Sequence, residues 1–258
     1  MSYGGLTHAT YLEHIEQEGG RFLAAGRRSP LDATIVSYPG FTVEGLASHV
    51  GRVLIASGRA LRGGTFEFYK PESVPQGHAV FPWLEDALAD TLRLLRETDP
   101  ASPAEHYWKS EPQTAGFFAR YLAVEIATHR WDEETPSNEH LPIPLDLAVD
   151  GIDYTISAWL PTRGADLAAD LRGTVALAPS DADAKWRIWD EGGALHAQNN
   201  GHADATVTLN GPTSDLFLVL WKRIDLPSQT VTVHGDEAVA ERLLSLDYVV
   251  NPKTTPFH

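Results

Sequence analysis

The chain has 258 residues, 43% of them hydrophobic and 21% charged, a composition that fits a folded protein rather than a disordered one. Acidic residues number 35 against 20 basic ones, a formal charge of −15 that argues against binding to phosphate backbones. The longest purely apolar run, Leu216 to Trp221, is far short of the about 20 residues a membrane span needs.

The first twenty residues lack a basic start followed by an apolar core, so no signal peptide is expected. There are no cysteines. Disulfides, iron–sulfur clusters, thiolate zinc sites and a cysteine nucleophile are therefore excluded. A metal site must use the 11 histidines with carboxylates. A cytoplasmic location fits this usage.

Taken in chain order, the first half reads as helices. Tyr11, Leu12, Ile15, Phe22 and Leu23 keep helical spacing over 8–27. Tyr38-Pro39-Gly40 marks a turn, and Thr42 is the N-cap of a second helix over 43–61. Phe41 and Leu46 occupy the two positions of a hydrophobic staple. A third helix is expected over 82–97. Ser110 and Gln113 form a capping-box signal for a fourth, ending near Asp132. After three prolines (Pro136, Pro142, Pro144) a fifth helix is expected over 145–160.

Beyond Pro161 the texture changes. Strand-like segments are expected at 174–178, 185–189, 194–197, 205–209 and 229–234, with helices near 214–221 and 237–246. Strands and helices do not alternate regularly, so the sheet is expected to be mostly antiparallel. The fold class is α plus α+β: a helix bundle over 1–163, then a small α/β domain over 164–258.

Chemistry is signalled by polar intrusions into core stripes. In helix four Phe118, Leu122, Glu125, His129 and Asp132 share one face. In helix two Leu46, His49, Val53 and Ala56 do the same, and His49 is the polar member. A lone buried carboxylate costs several kcal/mol or shifts its pKa. Two such intrusions suggest that they meet. His49, Glu125 and His129 then supply the two imidazoles and one carboxylate of many catalytic zinc sites, with one position open. Asp132, one turn past His129, is placed to orient a ligating ring from behind. The competing readings are a core histidine bonded to a carbonyl and an ordinary Glu125 ion pair.

The remaining histidines, His8, His14, His78, His106, His140, His196, His202, His234 and His258, are expected mostly in loops or exposed stripes. Trp108, Trp131 and Trp159 read as packing residues. Glu133 and Glu134 read as a solvated helix end.

Tyr38-Pro39-Gly40-Phe41-Thr42-Val43, continuing to His49-Val50-Gly51, resembles the first signature of the mycothiol-dependent maleylpyruvate isomerase family, part of the DinB-like group of metal-binding bundles. Arg120 and the run Glu125-Ile126-Ala127-Thr128-His129-Arg130-Trp131-Asp132 resemble its second signature. Gly211-Pro212-Thr213-Ser214-Asp215-Leu216, Leu220-Trp221-Lys222-Arg223 and His234-Gly235-Asp236 are similar to its C-terminal domain. The resemblance implies a DinB-like bundle followed by a sterol-carrier-like α/β domain. It makes His49, Glu125 and His129 the ligands of zinc or another divalent metal, and Arg223 the arginine that serves the site.

The resemblance further implies mycothiol as a thiol cosubstrate whose metal-bound thiolate adds to a small, carboxylate-bearing electrophile, in S-transfer or cis-trans isomerisation. Arg223 would pin the substrate carboxylate; on sequence alone it reads rather as a surface cation at a helix C-terminus. The alternatives are a metal-dependent hydrolase on the same bundle, or a non-catalytic protein whose C-terminal half holds an apolar ligand. A monomer or weak homodimer is expected.

Overall fold

The structure is a computed structural model and describes residues 5–67, 74–163, 170–199 and 204–249. Two compact units divide between Ile143 and Pro144, one helical and one built on a sheet. The division falls ahead of the change of texture at Pro161.

The helical unit contains α1 (His8–Arg28), α2 (Val43–Leu61), α3 (Val80–Glu97) and α4 (Ala115–Glu133). The starts of α1 and α2 are capped by threonine side chains. Thr7 Oγ1 accepts from Thr10 N at 3.1 Å, and Thr42 Oγ1 accepts from Gly45 N at 3.1 Å. The expected capping box does not form. Helix α4 begins at Ala115, and Gln113 instead accepts from the His106 backbone at 2.9 Å within the preceding loop.

Helix α1 packs mainly on α4, and α2 mainly on α3. Ile15, Phe22, Leu46, Leu54, Leu84, Leu95, Phe118 and Leu122 fill the space between. At Gly51 the indole of Trp83 lies against the α2 backbone, where any Cβ would collide with it. Helix α4 departs from the one-stripe reading: nearly every residue from Ala115 to Glu133 is buried. Its polar residues therefore need partners on several sides at once.

Those partners correct the reading of the helix end. Glu133 and Glu134 are buried, not solvated. Arg130, also buried, donates from Nε to Glu18 of α1 at 2.7 Å and from Nη1 to Glu134 at 2.8 Å. His14 and His106 are likewise buried; the His106 ring stacks on Phe117 with centroids 3.7 Å apart. His202 and His258 lie outside the described residues.

The sheet unit starts with α5 (Leu145–Tyr154), which continues through a π-helical turn at Thr155–Trp159 into α6 (Leu160–Arg163). Its strands are β1 (Thr174–Pro179), β2 (Trp186–Glu191), β3 (Ala194–Asn199), β4 (Val207–Gly211) and β5 (Thr232–Gly235). The order is β3-β2-β1-β4-β5. The sheet is mixed: β1 and β4 are parallel, with Val175 opposite Val207, and the other pairs are antiparallel. Gly192 and Gly193, at φ 63° and 85°, supply the two left-handed residues that a two-residue hairpin requires between β2 and β3.

Helices α7 (Thr213–Leu220) and α8 (Glu237–Ser245) complete the unit. Val175, Leu177, Ile188, Val207 and Leu209 are buried together with Leu216, Leu220, Val239 and Leu243. Asp153 of α5 accepts from Trp186 Nε1 at 2.7 Å and Asn199 Nδ2 at 2.9 Å, fastening that helix to β2 and β3. Among the described residues no helix is long and apolar enough to cross a membrane.

Candidate metal centre

The helices that carry the two polar stripes bring them together. His49 on α2 reaches Glu125 on α4, Nε2 to Oε1, at 3.5 Å. One turn along α4, His129 Nε2 lies 3.3 Å from the same carboxylate oxygen. The rings of His49 and His129 meet edge to face with centroids 5.0 Å apart. One donor atom from each of the three residues lies within 4.8 Å of the others, a spacing that one cation can bridge. Glu125 and His129 are buried, and His49 is half-buried.

The wall beside the cluster is aromatic. Phe41 lies 5.5 Å from the His49 ring and Tyr38 lies 6.2 Å from the His129 ring, centroid to centroid. Both come from the tight turn in front of α2, where Phe41 N donates to Tyr38 O at 2.9 Å. That turn also delivers Ser37.

Behind the cluster, His129 Nδ1 donates to Asp132 Oδ2 at 3.0 Å. Asp132 is fully buried and accepts from Ser37 Oγ at 2.6 Å through its other oxygen. Thr135 Oγ1 donates to the Asp132 carbonyl at 2.7 Å and accepts from Val36 N at 3.0 Å. The ring, its carboxylate and the turn before α2 therefore form one bonded chain. The sequence placed Asp132 here but missed Ser37; the residue sits next to the Tyr38-Pro39-Gly40 turn.

Electrostatics follow from burial and these contacts. Burial lowers the His49 pKa; the Glu125 hydrogen bond opposes this, and the charges of His129 and Arg52 add to the lowering. For His129 burial also works downward, but Glu125 and Asp132 outweigh it, so its pKa is raised. Burial would raise Glu125, yet the two imidazoles hold its carboxyl well below the usual carboxylate range. The cluster thus keeps an ionised carboxylate between two rings in a protected place, a donor set suited to a divalent cation.

Arg223 lies in the sheet unit, just past α7. It is buried, its Nη1 donates to the Trp221 carbonyl at 2.9 Å, and its guanidinium sits 5.9 Å from the Trp221 ring. The sequence also missed Arg52, one turn past His49 on α2, whose charge bears on that ring. Its i, i+3 spacing from His49 was the available signal.

Residues 12–133 match the model of the mycothiol maleylpyruvate isomerase N-terminal domain, and residues 146–242 match the model of that family's C-terminal domain. No curated protein matches the chain. A solved structure, the stereoselective inverting sec-alkylsulfatase Pisa1 from Pseudomonas sp., aligns with 82% of this chain and 46% of its own at 14% identity and a TM-score of 0.33. The chain spans less than half of that enzyme's length, and a similarity of this size carries no argument about fold or activity. The two domain matches lie in order and take in both units: the chain belongs to the mycothiol maleylpyruvate isomerase family.

Proposed function

We propose that the chain is a zinc-dependent enzyme that uses mycothiol as its thiol cosubstrate and acts on a small electrophile in the cytoplasm, as a monomer or weak homodimer. The convergence of His49, Glu125 and His129 carries this reading. Family membership supports the choice of thiol and the isomerase-like chemistry.

Each residue has a role in the reading. His49 and His129 offer ring nitrogens and Glu125 a carboxylate oxygen. Asp132 fixes the His129 ring and leaves its Nε2 facing the cluster. A divalent ion held there supplies Lewis acidity that favours the thiolate of an added thiol, whose ordinary pKa is about 8.5. The chain has no cysteine, so the nucleophile arrives with the cosubstrate. Its sulfur would add to one carbon of an activated double bond, and the π pair would move onto the neighbouring carbon as an enolate. Protonation of the enolate would give the thioether, which is transfer; rotation about the former double bond and return of the pair with expulsion of the thiolate would be isomerisation. Family membership makes Arg223 the candidate for binding a substrate carboxylate.

The test is elemental analysis of protein purified without chelators, wild type and His49→Ala, joined to a conjugation screen with mycothiol. Stoichiometric metal lost in the variant, together with strict thiol dependence, is the expected result. Absence of divalent metal from the wild type overturns the reading. Activity on esters or amides without thiol replaces it with the hydrolase.

A second reading has an observation of its own. The sheet unit holds a cavity of about 310 Å³ whose wall is partly apolar, with Val219, Leu226, Val233 and Leu244, and partly charged, with Lys222 and Glu237. A cavity of that kind suits a small, mainly apolar ligand that carries a polar group. Function that survives Glu125→Ala would favour it.

A further inference from the structure

Most arginines of the helical unit have carboxylate partners. Arg62 bonds Asp90, Arg93 bonds Asp90 and Glu97, and Arg96 bonds Glu16, each at 2.6 Å. Arg130 bonds Glu18 and Glu134, and Arg120 faces Glu111 at 3.5 Å. Arg52 differs. It is half-buried, its Nε is shut off from solvent with no hydrogen-bond partner among the described residues, and no carboxylate pairs with it there.

With 35 acidic residues against 20 basic ones, a half-buried arginine without a carboxylate is not forced by composition. A buried donor left unsatisfied is costly, and more so when charged. A bound anion removes that cost. Position says which anion. Arg52 is three residues after His49, so the two side chains share one side of α2 with Cβ atoms about 5–6 Å apart.

We propose that Arg52 is an anion anchor of the metal centre, binding a carboxylate of the small-molecule substrate whose other end lies at the His49–Glu125–His129 cluster. This rests on the metal-centre reading above. The guanidinium fork matches a carboxylate with two parallel bonds, which an ammonium does not reproduce. Charge agrees. A divalent ion and Arg52 against the Glu125 and Asp132 carboxylates leave a surplus of one positive charge, which a substrate carboxylate neutralises. Arg52 is carried on the same helix as a proposed ligand, so this anchor belongs to the helical unit and is additional to Arg223.

The test titrates maleate, a minimal dicarboxylate, into wild type, Arg52→Gln and Arg52→Lys by calorimetry, with metal content measured on each sample. The uncharged dimethyl ester of maleate serves as the control. The expected result is at least tenfold weaker maleate binding in Arg52→Gln at unchanged metal content. Arg52→Lys recovers part of it, and the ester does not distinguish the proteins. Maleate binding within twofold of wild type in Arg52→Gln overturns the proposal, as does failure of the wild type to bind maleate. Loss of metal in Arg52→Gln makes the residue structural and also overturns it. The same titration on chelator-treated proteins separates the two ideas. A wild type without metal ends the metal reading, while the difference between wild type and Arg52→Gln still decides Arg52.

Discussion

His129 is bonded through Nδ1 to the buried carboxylate of Asp132, 3.0 Å away, and that carboxylate is itself held by Ser37 Oγ at 2.6 Å. The bond fixes both the tautomer and the tilt of the ring. Outer carboxylates of this kind change metal affinity by about 10–100-fold when removed. Asp132→Asn is expected to weaken metal binding within that range, measured by competition with a chromophoric chelator. Ser37→Ala should act in the same direction with a smaller effect, because it loosens the carboxylate without removing it.

Metal binding should depend on pH in a definite direction. The ligands must shed protons to bind an ion. Glu125, held low by the imidazoles, is already ionised near neutrality. His129 is raised above the ordinary imidazole value of 6.5 and is the group that must give up its proton. Affinity should therefore fall as pH drops, with the fall beginning above pH 6.5. Apparent Kd values from chelator competition across neutral pH check this. A flat profile down to that value would contradict the assignment.

Glu133 makes a prediction about stability. It is fully buried between helices, and neither carboxylate oxygen has a hydrogen-bond partner among the described residues. Burial, with the neighbouring Asp132 charge, raises its pKa well above 4.5. The folded protein therefore keeps a proton that the unfolded chain releases, so this group's share of stability is full below pH 4.5 and is lost as pH rises. Glu133→Gln should raise the melting temperature at pH 7.5 by a few degrees, at roughly 2–4 °C per kcal/mol for chains of this size. The gain should shrink near pH 5.

Arg130 is the opposite case, a buried charge with good partners. Glu18, Glu134 and the carbonyls of Leu141 and Pro142 all accept from its guanidinium. Removing one side of a buried ion pair costs about 3–5 kcal/mol, since the stranded charge stays behind. Arg130→Met should destabilise the protein by that order in urea denaturation. The double change Arg130→Met with Glu18→Gln should be milder than Arg130→Met alone.

The sequence made legible what depends on spacing along one element. The stripe Leu46, His49, Val53 and the stripe Phe118, Leu122, Glu125, His129 named the cluster before any coordinates, because i, i+3 and i, i+4 neighbours share a helix face. Thr42 announced itself as a cap in the same way. Less legible was what depends on how elements surround one another. Helix α4 is buried on nearly all sides, so Glu133 and Glu134 could not be read as solvated ends. One partner of Arg130, Glu18, lies on α1, more than a hundred positions away. The Ser110–Gln113 pattern had correct letters, but Gln113 satisfies a nearer loop amide first. The parallel β1–β4 pair arises because the β2–β3 hairpin lies between them in sequence and to one side in space.

The three cluster residues come from α2 and α4, and the whole of α3 lies between these helices in the sequence. A cation shared among them is therefore also a crosslink, closing a long stretch of chain in the way a disulfide would in a protein that had cysteines. Stripping the ion should release that constraint as well as any reactivity, and the helical unit should then yield to proteases before the rest of the chain does.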